Sequence, residues 1–361
     1  MQGRQDDSTA RKLSPAKITV PVAIGLGIVV WLMLKESDAA ALSEINFGWR
    51  AVFWLTVTFL LVGLRTFFYT WRIKALCDND ISWRQSLRII LLWEFASAIS
   101  PSTVGGTAVA VVFLNKEGLS VGRSTTVVLL TSFLDELYFV ILFPLLLIFT
   151  GTSVLFINIG PASGSLLLNN LVILAVIGYV IILAWVLIVG YGLFVNPRGI
   201  NRLINSIFRL PFINRWKEAA ARAGNDIIES SRELKSKSAG FWLQAAGTTF
   251  LSWSFRYLVV NSILLAFFVF NEHLLIFTRQ LVLWIMMIIS PTPGGSGFAE
   301  IILGNYIADL IPAGGDAAKS LSLAMAVLWR VITYYPFLVA GAIIVPAWLQ
   351  RKIIPVIVRK N

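Results

Sequence analysis

Apolar residues in this chain come in long continuous runs, without the alternation of a half-buried strand or the three-to-four-residue spacing of a water-facing helix. A helix needs about 20 apolar residues to cross a bilayer. Runs of that length cover 18–34, 50–71, 123–149, 170–194, 241–270 and 319–348. Two further runs, 89–114 and 274–304, are interrupted near their centres by ISPSTVGGTA (Ile99 to Ala108) and ISPTPGGSG (Ile289 to Gly297). Each half of these runs, about 12 residues, is too short to span. In both, a Ser-Pro removes a backbone donor and a following Gly-Gly permits unusual φ/ψ angles. Within lipid, such broken backbone survives only when buried in protein or lining a watery cavity. The pattern predicts an all-α polytopic membrane protein of about six full spans and two re-entrant helical hairpins.

Charge then supplies an orientation. The chain has 361 residues, 57% hydrophobic and 14% charged, with a formal net charge of +11 and a mean hydropathy of +0.78. Its basic residues lie between the apolar runs, which points to topology and anionic lipid contact and away from nucleic acid. With the N-terminus cytoplasmic, segments 1–17, 72–88, 115–123, 196–240 and 350–361 face inward and hold 23 of the 30 basic residues. The outward segments hold Lys35, Arg50, Arg279 and Lys319, and Arg65, Arg256 and Arg330 fall within spans. Both termini are therefore expected in the cytoplasm. The domain layout is a tail over 1–17, one integral membrane domain over 18–349 and a basic tail over 350–361. The first apolar run reads as a span and not as a cleaved signal, because Lys35 and Glu36 interrupt the approach to the Ala-rich DAAA. Within 196–240, Leu203, Ile204, Ile207 and Phe208 recur at helical spacing among basic residues, the pattern of an interfacial amphipathic segment.

The two halves repeat each other. FLLVGLR (Phe59 to Arg65) and FLSWSFR (Phe250 to Arg256) each place Phe-Leu ahead of an intramembrane Arg. Ser100 follows Arg65 by 35 residues and Ser290 follows Arg256 by 34, and a Trp, Trp93 or Trp284, precedes each break. The units 50–149 and 241–348 both read as span, hairpin, span. Given the orientation above, they are inverted repeats, an arrangement that places a transporter's site near the midplane where broken helices meet.

Candidate chemistry follows from charge at membrane depth. Each charged side chain there costs roughly 2.5–3.5 kcal/mol on insertion scales, so it faces the bundle interior and finds a partner. Arg65, Arg256 and Arg330 form the basic set, and Glu94, Asp135, Glu136 and Glu300 the acidic one. The arginines suit a phosphate. Gly105, Gly106, Gly294 and Gly295 let backbone approach it, while Glu94 and Glu300 balance or bind positive charge. Ser100, Pro101, Ser290, Pro291 and Pro293 shape the breaks. The short helices after the breaks, about 107–114 and 297–304, would offer their N-terminal amides to an anion. No catalytic motif is present, and neither the lone His273 nor the single Cys77 belongs to a metal-ligand pattern, so no catalytic residue, metal or cofactor is expected. His273 reads as a surface or interfacial residue and Cys77 as an inert thiol.

PTPGGSGFAE (Pro291 to Glu300), SPSTVGG with the following TAVAVVFLNKEGLS, and the Arg330 span with YYP (Tyr334 to Pro336) resemble the lysylphosphatidylglycerol synthase transmembrane region. This is the flippase-like module of multiple peptide resistance factors and of many stand-alone proteins, and the resemblance covers residues 18 to 350. It implies translocation of a phospholipid, aminoacylated lipid or related anionic-headgroup lipid across a bacterial cytoplasmic membrane. The aminoacyltransferase domain of two-domain members has no counterpart here, so a non-enzymatic stand-alone form is expected. Its expected partners are membrane lipids, a second copy in a homodimer and an envelope-biosynthesis enzyme, with no nucleic acid. The alternatives are a secondary transporter of a small soluble anion or amino compound, coupled to protons through Asp135, Glu136 or Glu300, and a non-transporting scaffold.

Overall fold

A computed structural model describes residues 47–100, 103–151, 165–199, 217–288 and 292–352, with isolated positions between them. The expected span 18–34, most of 150–170, the positions Leu203, Ile204, Ile207 and Phe208, the N-terminal tail and the tail beyond Lys352 lie outside the described residues. The described residues form helices joined by short connections, with no strand among them. In chain order these are α1 (Trp49–Leu76), α2 (Trp83–Ile99), α3 (Thr103–Lys116), α4 (Val121–Thr150), α5 (Ser165–Gly190), α6 (Lys217–Ser236), α7 (Ala239–Phe267), α8 (His273–Met287), α9 (Phe298–Ala308), α10 (Gly315–Thr333) and α11 (Tyr335–Lys352). A π turn, Tyr191–Val195, continues α5.

Five stretches are long and apolar enough to cross a membrane: 49–76, 121–150, 172–195, 239–267 and 315–346. They coincide with five of the six expected spans, and the chain is an integral membrane protein. Large apolar side chains on their outer faces, such as Phe53, Phe59, Ile148, Leu187 and Phe250, remain exposed, as lipid contact requires. Four shorter helices flank the two breaks: α2 and α3 have 17 and 14 residues, α8 and α9 have 15 and 11.

Local sequence sets the helix starts. Ser82 caps α2 by accepting from the Gln85 amide while the Gln85 side chain accepts from the Ser82 amide at 2.9 Å. Ser120 and Ser238 cap α4 and α7 in the same sense, accepting from the amides of Arg123 and Phe241. The run 319–348 is not one straight helix. It is interrupted at Tyr334, where φ/ψ are −118°/−55°. Pro336 has no amide to continue the ladder, yet fits the first turn of α11.

The helices carrying the two Phe-Leu…Arg segments, α1 and α7, run antiparallel side by side. Arg50 Nε donates to the Leu265 carbonyl at 2.8 Å, Thr58 Oγ1 meets Ser262 Oγ at 2.8 Å, and Arg72 Nη1 donates to Thr249 Oγ1 at 2.9 Å. As residue number rises along α1 it falls along α7, which sets Arg65 opposite Arg256. An aromatic core lies beside this pair, with Trp253 4.9 Å from both Phe139 and Trp284. The limbs of the first hairpin approach so closely that a Cβ on Gly106 would stand 2.0 Å from Ser97 Oγ and 2.8 Å from the Ser97 Cα and N.

Cys77 is fully buried at the end of α1, and burial pushes its thiol up to about 12. At pH 8 it is therefore protonated, and the folded protein should resist maleimide until denatured, as mass spectrometry of the labelled protein would show. Gly106→Ala should lower stability by about 1–3 kcal/mol through overpacking against backbone that cannot yield. Gly63→Ala, with open space around it, should raise stability by about 0.5–1 kcal/mol. Unfolding in detergent measures both.

Candidate functional site

The two breaks touch. The Gly294 amide donates to the Ser100 carbonyl at 3.2 Å, and the Tyr334 hydroxyl donates to the Ala98 carbonyl at 2.9 Å. Only glycine suits position 294, where φ is +57° and a Cβ would stand 2.9 Å from the Ala98 oxygen. Beside this junction lies a cavity of about 160 Å³, continuous in its lining with a smaller one of about 50 Å³. Of the residues nominated from sequence, Glu94, Ser100, Asp135, Glu136, Arg256, Gly294, Gly295 and Arg330 line the larger cavity. Tyr69, Trp93, Trp253 and Trp284 supply aromatic walls.

The four arginines of the region differ in what holds them. Arg65 pairs with Glu94, leaving its side chain 7% exposed, and is absent from the cavity wall. Arg72 is fully buried and grips Asp135 with both terminal nitrogens, at 2.5 and 3.1 Å. Arg330 stands with its Nε 3.1 Å from Glu300 and its Nη2 donating to the Gly294 carbonyl at 2.9 Å. Arg256 is the most open, with a side chain 27% exposed. Its guanidinium packs on the Trp253 and Trp284 rings at 5.1 and 4.8 Å, and its nearest carboxylate oxygen is Glu94 Oε1 at 4.0 Å. That same oxygen already serves Arg65. Arg256 thus keeps positive charge available to the cavity, on a guanidinium in cation–π contact with two indoles.

The acidic residues divide in the same way. Asp135 accepts from Arg72, from Trp253 Nε1 at 2.6 Å and from the Tyr69 hydroxyl at 3.2 Å. Glu300, 1% exposed, is not among the residues lining the cavity: besides pairing with Arg330 it accepts from the Gly297 amide at 2.8 Å. The start of α9 is therefore capped by its own carboxylate, and that amide is not open to an incoming anion as the sequence reading expected. Glu136 lines the cavity with its Oε2 buried and without a hydrogen-bond partner. Gly106 sits in the α2–α3 contact, which is a packing position. Pro101, Ser290 and Pro291 lie outside the described residues. Gly105 lies within α3, and Pro293 opens the turn before α9.

The charge count puts Arg72 in an inward segment and Arg279 in an outward one, and the structure buries both within helices. Arg72 belongs to α1, which runs to Leu76, and Asp135 receives its charge. Arg279 belongs to α8 and pairs with Asp309 at 2.6 and 2.8 Å. The first hairpin has a matching device, in which Arg88 of α2 meets Glu117 at 3.0 Å. In each hairpin an arginine on the first limb holds a carboxylate just past the second, 29 residues on in one case and 30 in the other. That recurring Arg-to-acid spacing was a readable signal. Among the other expectations, His273 is exposed and hydrogen bonds with Asn261 at 3.2 Å.

The family model described as lysylphosphatidylglycerol synthase TM region matches residues 18–341. A relative from Archaeoglobus fulgidus named UPF0104 membrane protein is 29% identical over 303 residues, 80% of this chain and 84% of that one. No solved structure gives a significant match.

Arg72 and Asp135 supply a test of the buried electrostatics. Asp135→Ala should cost about 3–5 kcal/mol by stranding a buried guanidinium. Adding Arg72→Leu should recover a large share of that loss, which a double-mutant cycle of unfolding free energies in detergent would reveal.

Proposed function

We propose, for a chain that belongs to the lysylphosphatidylglycerol synthase transmembrane-region family, that it carries an anionic lipid headgroup between leaflets through the cavity at the two breaks. The carrying observation is Arg256: an arginine with shared neutralisation, packed against two indoles, facing a cavity that Arg330 also lines. A guanidinium so placed offers parallel donors to a phosphate or phosphodiester, and aromatic walls exclude water around it. Glycine at 294 and 295 brings backbone close to the same space. On this reading acyl chains stay in lipid while the headgroup crosses.

The finer topology belongs to the same proposal. The units 50–149 and 241–348 are inverted repeats, each a span, a re-entrant hairpin and a span, with both termini in the cytoplasm. The antiparallel course of α1 and α7, with Arg65 opposite Arg256, supports this reading, as does the matched ion pair at the base of each hairpin. The membrane is the bacterial cytoplasmic membrane, and the lipid is a phospholipid or aminoacylated phospholipid.

Reconstitution into liposomes containing fluorescent phosphatidylglycerol, with dithionite quenching of the outer leaflet, measures the activity. Wild type should expose inner-leaflet probe faster than protein-free vesicles, and Arg256→Gln should slow it at least tenfold while the protein remains folded. Wild-type rates equal to those of empty vesicles would sink the proposal.

A further inference from the structure

Three carboxyls stood open as proton carriers from sequence: Asp135, Glu136 and Glu300. Two of these are tied to arginine and N–H partners. Asp135 accepts from Arg72 twice, from Trp253 and from Tyr69. Glu300 stands against Arg330 and holds the Gly297 amide. Glu136 differs from both. It lines the cavity, its Oε2 is buried with no hydrogen-bond partner, and no Lys or Arg among the described residues lies within 4 Å of it.

The groups around Glu136 come from several helices. Asp135 is its neighbour on α4, α1 brings Tyr69 and Arg72, α2 brings Glu94, α7 brings Arg256 and Tyr257, and α10 with its end brings Arg330 and Tyr334. The helices α3 and α8 line the cavity with Thr107, Trp284 and Met287, none of them ionisable there. No described α5 residue lines it, and α6 packs on α4 with Leu234 in the same apolar cluster as Val127 and Val128. Each arginine in this set is already within 4.0 Å of a carboxylate other than Glu136.

We infer that binding of a phosphodiester anion in this cavity is linked to uptake of one proton by Glu136. The inference rests on the anionic-headgroup reading above and names how that site is coupled. An anion drawn to Arg256 and Arg330 shares one small, aromatic-walled space with Glu136. In such a space two like charges repel strongly. A proton from solvent adds to a Glu136 carboxylate oxygen, leaves a neutral carboxylic acid and removes the repulsion. The sign follows from linkage: if the anion-bound state holds one more proton than the free state, affinity falls as pH rises. Release of the headgroup then returns the proton, so a proton gradient can bias a carrier that would otherwise only equilibrate its lipid.

The test uses the purified full-length protein in detergent, wild type and Glu136→Gln, with two probes. Short-chain phosphatidylglycerol represents the lipid source, and its deacylated, water-soluble glycerophosphoglycerol represents a soluble source. Both phosphodiesters stay monoanionic across pH 5–9, so any pH dependence belongs to the protein. Calorimetry in buffers of different ionisation enthalpy counts protons taken up on binding. Wild type should take up close to one proton per phosphatidylglycerol bound where Glu136 starts ionised. Its affinity should fall as much as tenfold per pH unit in that range. Glu136→Gln should bind with the wild-type low-pH affinity at every pH and take up none. Zero proton uptake by wild type, or the same pH profile in both proteins, would overturn the linkage alone. Absence of binding of either probe at every pH would overturn the anionic-headgroup reading itself. Tighter binding of the glycerophosphoglycerol would assign the same linked site to a soluble anion.

Discussion

One carboxylate serves two arginines at the centre of this molecule. The antiparallel contact between α1 and α7 brings Arg65 and Arg256 to facing positions, and Glu94 reaches between them from α2. Charge at this depth is tolerable only when paired, and one carboxylate cannot fully neutralise two guanidinium groups. The result is unequal. Arg65 is buried against Glu94, whereas Arg256 stays partly open and leans on Trp253 and Trp284. The antiparallel helix pair thereby acquires a one-sided electrostatic field, and the cavity lies on the side where positive charge is left over.

Around that centre the breaks are held by few but directional contacts. The Gly294 amide to the Ser100 carbonyl and the Tyr334 hydroxyl to the Ala98 carbonyl join the two halves, and Arg330 satisfies the Gly294 carbonyl within the second. At their bases the hairpins are closed by Arg88 with Glu117 and Arg279 with Asp309. Glu117 also receives Gln85 at 3.1 Å and Trp348 Nε1 at 2.9 Å, which ties the first hairpin to α11. The tips meet through backbone and the bases are fastened by charge.

Much of the frame was legible in sequence because its causes are local. Run length and Pro-Gly interruptions mark the helices and their breaks, and the matched spacing from Arg65 to Ser100 and from Arg256 to Ser290 marks the pairing of halves. What escaped was set by partners distant in the chain. Arg72 looked like the first residue of a loop because its counter-charge, Asp135, lies 63 residues on. Glu300 looked like a cavity ligand because a carboxylate after a glycine-rich break reads the same whether it faces a cavity or caps its own helix. Tyr334 looked like mid-span because a proline in an apolar run does not say whether it kinks a helix or restarts one. Composition cannot rank the three arginines of the spans by openness. That ranking comes from how many carboxylates the fold brings within reach.

The buried pairing of α1 also bears on the order in which the chain is made. This helix enters the membrane carrying Arg65 and Arg72, whose counter-charges Glu94 and Asp135 are synthesised 29 and 63 residues later. An unpaired Arg65 deep in this helix costs roughly 2.5–3.5 kcal/mol on insertion scales, whereas Arg72, four residues from its end, costs less because it can reach the interface. Glu94 arrives on the first hairpin and Asp135 on the helix after it, each discharging one of those debts. The buried charges of α1 are therefore fully paired only once α4 is in place.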